Sequence, residues 1–93
     1  MNIAVVQNVA LSRFEFSIEG STAFAEYLER GDILAITHTF VPESLRGKGL
    51  AAMLTKATLE YARSKGRKVD PVCSYAARYM EQHLEFADLA IAR

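Results

Sequence analysis

The stretch "HTFVPESLRGKGLAAMLTKATLEYARSKG", His38 to Gly66, decides the fold, because the period of its apolar residues changes partway along. It begins as the end of a strand-like run. From Leu50 onward, Leu50, Leu54, Ala57 and Tyr61 fall at helical spacing, with Lys56, Glu60 and Arg63 on the other side. The spacing predicts a helix over 47–65, closed by Gly66 as a C-terminal cap. Glycine is costly inside a helix, yet Gly47 and Gly49 flank Lys48 at its start. A helix start carries unpaired N–H groups and a partial positive charge. Glycines beside Arg46 and Lys48 at that place point to backbone brought close to an anion.

Outward from this stretch, the preceding forty residues read as strands. Residues 4–6 are a candidate short first strand. Phe14, Phe16 and Ile18 alternate with Arg13, Glu15 and Ser17, giving one apolar and one polar face. Residues 22–29 form another candidate strand after the Gly20-Ser21 turn. Residues 33–40, "ILAITHTF", are apolar on both faces and read as a central, covered strand. Short turns between successive strands imply an antiparallel meander, and Pro42 ends it. Downstream, residues 68–72 can pair in parallel with 33–40, making one βαβ step. Ser74 is placed to cap a second helix through about residue 83, and the tail "LEFADLAIAR" fits either a last strand or an irregular return across the sheet. The expectation is an α+β fold in a single domain over residues 1–93: an antiparallel meander with one βαβ crossover and two helices.

Net charge is zero, which argues against a broad nucleic-acid-binding face. Arg63, Lys65, Arg67 and Lys68 read as a solvated helix end complementing the helix dipole. Cys73 is the sole cysteine, so no disulfide can form within the chain and nothing points to secretion. No apolar run approaches the ~20 residues of a membrane span, and the N-terminus lacks the pattern of a signal peptide. The expected location is the cytoplasm, with no membrane partner. Two histidines and one cysteine at these spacings match no metal-ligand pattern.

Three phosphate-binding patterns compete for the glycines. A P-loop needs G-x-x-x-x-G-K-[ST], and the spacing here is wrong, with no hydroxyl residue after Lys48. Gly47-Lys48-Gly49-Leu50-Ala51-Ala52 does satisfy the dinucleotide pattern G-x-G-x-x-A, with Asp70 about twenty residues on. A dinucleotide domain, however, opens with its fingerprint strand; here three antiparallel strands precede the glycines. Taken one position earlier, Arg46-Gly47-Lys48-Gly49-Leu50-Ala51 is R-x-x-G-x-A. This resembles the acetyl-CoA signature [QR]-x-x-G-x-[GA] of the GNAT superfamily of N-acetyltransferases. The resemblance narrows to a small, single-domain GNAT-like family reading H-T-x-V-P, L-R-G-x-G-I-A, A-R-x-x-G and V-x-P-x-C-x-[YF]. It is strong over residues 36–89 and loose over the first strands. Two positions depart: Phe40 stands where members often carry an acidic residue, and Leu84 where they often carry proline.

The resemblance implies a minimal GNAT fold that binds acetyl-CoA or CoA through Arg46, Gly47, Lys48, Gly49, Leu50 and Ala51. Backbone N–H groups would hold the pyrophosphate and the two cations would add charge. It also implies a gap between residues 37–41 and 69–73 for the pantetheine arm, with backbone N–H groups near Phe40 and Val41 meeting its amides and the thioester oxygen. Acetyl transfer needs a neutral amine, a donor for the oxyanion, a proton for the departing thiolate, and alignment. Cys73 falls near the thioester, as nucleophile, as general acid, or simply as a small buried hydrophobe. Tyr79 matches a tyrosine that meets the CoA sulfur in many members, or packs in the core, and shares a helix face with Tyr75. By strand alternation His38 shares a face with Leu34 and Ile36, as a packed histidine or a base. His83 lies near a helix end, as a capping or surface group. The expected acceptor is an amine-bearing small molecule, peptide or protein, and the expected state a monomer or weak homodimer. The alternative is a non-catalytic CoA-binding or interaction module of the same fold.

Overall fold

A computed structural model of the chain describes residues 4–91. Five strands form one sheet in sequence order: β1 (Val6–Asn8), β2 (Arg13–Ile18), β3 (Ser21–Arg30), β4 (Ile33–Phe40) and β5 (Lys68–Pro71). The first three pairings are antiparallel and β4–β5 is parallel. The helix α1 (Leu50–Ser64) makes the crossover, and α2 (Ser74–Gln82) follows β5. A 3-10 turn (Glu43–Leu45) precedes α1, and a longer 3-10 segment (Leu84–Leu89) carries the tail. The α+β expectation holds. The outer residues of the 1–93 domain, 1–3 and 92–93, lie outside the described residues.

The core sits on one face of the sheet. Phe14 and Phe16 of β2 face Ala25 and Ala23 of β3, and Tyr27, Leu34, Ile36 and Val69 continue the layer. Leu50, Leu54, Leu59 and Ala62 of α1 pack on it, as do Ala76, Tyr79 and Met80 of α2. The small side chains of Ala23 and Ala25, both fully buried, leave room for Tyr61 and Phe14 to meet edge to face at 5.7 Å. The opposite face carries Arg13, Glu15, Phe24, Glu26, His38 and Phe40, all exposed or half-buried.

Three features differ from the sequence-based expectation, and the tail takes one of its two expected forms. The first strand is Val6–Asn8 rather than 4–6. The carboxamide of Asn8 accepts from the amide of Leu11, fixing the turn, and the register Gln7↔Phe14 then sets the strand. The crossover helix begins at Leu50, because Gly47 and Gly49 both have positive φ and cannot be helical. Cys73 rather than Ser74 is the N-cap of α2: it is extended, and its carbonyl accepts the first helical bond from Ala77. The tail makes an irregular return, touching the sheet through one parallel bridge between Ala90 and Val69.

A bulge in β4 matters most. Glu26 opposes His38 but Tyr27 opposes Ile36, so Thr37 is an extra residue in β4. Its hydroxyl donates to the carbonyl of Glu26. An extra residue reverses the alternation beyond it. His38 therefore does not share the face of Leu34 and Ile36. It lies on the opposite face, beside Phe24 with ring centroids 5.8 Å apart.

Candidate active site

The loop before α1 leaves backbone donors unused. Gly49, the N-cap, has φ +74°, and no side chain caps the helix. The first helical bond runs from Met53 to the carbonyl of Gly49. Among the described residues, the amides of 47–52 donate to no protein acceptor. Gly47 has φ +81°, and a Cβ at either glycine would meet nothing within 4 Å. The glycines are thus required by backbone conformation rather than by packing. Arg46 steadies the loop by donating its Nε to the carbonyl of Val41 at 3.2 Å, while Lys48 is exposed.

The second feature is a fork. The β4–β5 pairing runs from Ile33↔Lys68 to Ile36↔Pro71 and stops. The amide of Cys73 makes the last link, to the carbonyl of Ile36 at 2.9 Å, and the chain then turns into α2. Pro71 has no N–H to give the ladder, so past it the Cys73 amide is the last link before the strands part. Thr37 to Phe40 continue with β3 alone. Beyond the bulge Thr39 returns to the helix face, where the thiol of Cys73 donates to its hydroxyl at 3.6 Å.

Between loop and fork lies an open depression of about 190 Å³, lined by Val41, Arg46, Gly47, Gly49, Ala51 and Tyr75 among others. Two larger hollows, about 460 and 770 Å³, lie beside α2 and the tail, and neither is lined by the glycines or Cys73. Unused backbone donors mark a place suited to an anion better than volume does.

The Cys73 thiol is held below its ordinary pKa. Partial burial pushes it up, but the amides of Ala76 and Tyr75 in the first turn of α2, with the hydroxyl and backbone of Thr39, outweigh that. The Cys73 side chain makes no capping hydrogen bond, yet the amides of that first turn favour its thiolate.

Other expected site residues lie elsewhere. Tyr79 stacks on His83 with centroids 3.8 Å apart and lines the 770 Å³ cleft with Lys56, Glu60 and Arg63. Burial raises its phenol pKa, with Glu85 adding to the effect. Among the described contacts none joins it to Cys73 or to the glycine loop. His83 caps α2, its Nδ1 2.8 Å from the carbonyl of Tyr79. The Phe40 ring packs on Phe24 at 5.5 Å on the far face, which leaves only its backbone beside the fork. Tyr75, half-exposed and named in the sequence only as sharing a helix face with Tyr79, is the tyrosine of the two that lines the depression beside the glycines. The P-x-C-x-Y spacing, Pro71-Val72-Cys73-Ser74-Tyr75, was the signal for it.

An antiparallel meander, one parallel step, a glycine loop before the crossover helix and a fork beside it define the GNAT class of fold. The chain overlays an NMR structure of a GCN5-like protein from Staphylococcus aureus with a TM-score of 0.78 and 25% identity, covering 99% of this chain and 91% of that one. Residues 13–89 match the GCN5-related N-acetyl-transferase family, and the chain belongs to it. It is also similar to Protein NATD1 of Gallus gallus and of Mus musculus, 33% identical over 51 residues, which is 55% of this chain and 46% of each relative. The match to Protein NATD1 of Homo sapiens has the same identity over 45% of that relative. The matched stretch thus spans less than half the length of these curated relatives.

Proposed function

We propose that this protein binds acetyl-CoA at the loop Arg46–Ala51 and transfers the acetyl group to an amine. The observation that carries the reading is the set of unused amides at 47–52, beside a fork that opens after Ile36 and Pro71. Family membership supports an acyl-CoA ligand over a dinucleotide. The amides would hold the pyrophosphate, with Lys48 and the guanidinium of Arg46 adding positive charge. The pantetheine arm would run past Val41 into the fork, where the free edge of β4 near Phe40 and Val41 offers backbone donors to the thioester oxygen. Cys73 stands at the end of the fork. It serves either as a nucleophile that carries the acetyl group or as the acid that returns a proton to the CoA thiolate. Tyr75 lies close enough to the glycines to share that role, and Tyr79 keeps it only if the 770 Å³ cleft admits the cofactor.

One observation favours the binding-only alternative: His38, the candidate base on β4, points away from the helices. Thermal denaturation with acetyl-CoA, CoA and NAD tests the reading. A ligand that binds only the folded state raises the melting temperature, so acetyl-CoA and CoA are expected to raise it and NAD is not. A shift with NAD alone contradicts the reading. A shift with CoA but no acetyl movement to any amine, and no acetyl on Cys73 by mass spectrometry, selects the binding module.

A further inference from the structure

We propose that Thr39 is the positioning residue for the Cys73 thiol, and that the extra residue Thr37 in β4 is what aims it there. Without the bulge, alternation from Ile36 would turn residue 39 to the far face of the sheet, away from α2. With it, the Thr39 hydroxyl lies 3.6 Å from Sγ of Cys73. The backbone of Cys73 is already fixed, by its amide bond to Ile36 and by its place as N-cap of α2. Thr39 therefore acts on the one freedom left, rotation of the thiol. A hydroxyl both accepts and donates, so it receives the S–H bond and, once the proton leaves, donates to the sulfur anion. The titratable groups nearest along β4, β5 and the start of α2 are His38, Asp70 and Tyr75; Lys68 on β5 and Arg78, Tyr79 and Glu81 on α2 stand further along their elements. Burial pushes the Tyr75 phenol pKa up. His38 and Asp70 belong to the other face of the sheet, Asp70 in register with Ala35.

The catalytic meaning of this arrangement rests on the acetyl-CoA reading, but its test does not. Cys73 is the only cysteine, so iodoacetamide alkylation of the whole chain reports it alone. The rate is followed against pH for wild type, Thr39→Val, Thr39→Ser and Thr39→Ala, each checked for native circular dichroism. The midpoint is expected to rise by roughly half a unit to one unit in Thr39→Val and Thr39→Ala, and to stay at the wild-type value in Thr39→Ser. A midpoint unmoved in a folded Thr39→Val or Thr39→Ala overturns the proposal. So does an equal shift in Thr39→Ser, which would reduce Thr39 to a packing role. The assay contains no acetyl-CoA, so a failure here and a failure of cofactor binding are separate results.

Discussion

The two ends of α1 are built on opposite terms. At its C-terminus the carbonyls of Tyr61, Ala62 and Arg63 all accept hydrogen bonds from beyond the last turn. Gly66, in the left-handed conformation, donates to Arg63, and Arg67 donates to Ala62, the paired bonds of a Schellman cap. The neighbouring cations, expected to be merely solvated, are occupied: Arg63 binds Asp88 and the carbonyl of Glu85, Arg67 binds Glu29, and Lys68 reaches the carbonyl of Asp88. They clasp the tail and the end of β3 to the helix. At the N-terminus no side chain caps the helix and the amides of 47–52 stand unused. One helix thus separates scaffold from site. Where the protein satisfies its own backbone it holds its shape; where it leaves donors bare it offers the place the proposed ligand would take.

The largest expected effect falls on the bare end. Gly47→Val with Gly49→Val forces β-branched residues to positive φ, at about 1–2 kcal/mol each, and sets side chains over the amides. Acetyl-CoA affinity is expected to drop at least about a hundredfold by calorimetric titration. Unchanged affinity would break the contrast between the two ends. Next comes Gly66→Ala at the satisfied end. It is expected to lose about 1–2 kcal/mol of folding stability in urea, from the same positive-φ strain, while acetyl-CoA affinity stays put. A fall in affinity there would mean the two ends are coupled. Smaller is Arg63→Ala, which lowers the melting temperature by an amount that shrinks with added salt, because the pair with Asp88 is exposed.

The smallest effect is the pH dependence of that pair. The hydrogen bond from Arg63 holds the Asp88 carboxyl below its ordinary value. A depressed carboxyl contributes stability above its unfolded pKa of about 3.9 and loses it as pH falls through the folded value. The melting-temperature difference between wild type and Arg63→Ala should therefore be constant above about pH 5 and fade below about pH 4. A difference that grows with acid would sink this account of the clasp.

Much of this was legible in the sequence because it is local. The strand 33–40 and the glycine cap at Gly66 follow from period and punctuation, and both stand where expected. The bulge was not legible. Whether Thr37 pairs or is skipped depends on how β3 lies against β4, so simple alternation put His38 on the wrong face. The same limit applies to Tyr75 and Tyr79. They are one helical turn apart, and only the packing of α2 against α1 and the tail decides which meets the glycine loop.

Backbone amide shifts give the most direct test, since a chain of 10.3 kDa is well suited to solution NMR. Titration with acetyl-CoA is expected to move the amide signals of Gly47 to Ala52 strongly and those of Lys65 to Lys68 hardly at all. Saturating cofactor that leaves the Gly47–Ala52 signals in place, or moves only those around Tyr79 and His83, would contradict the account.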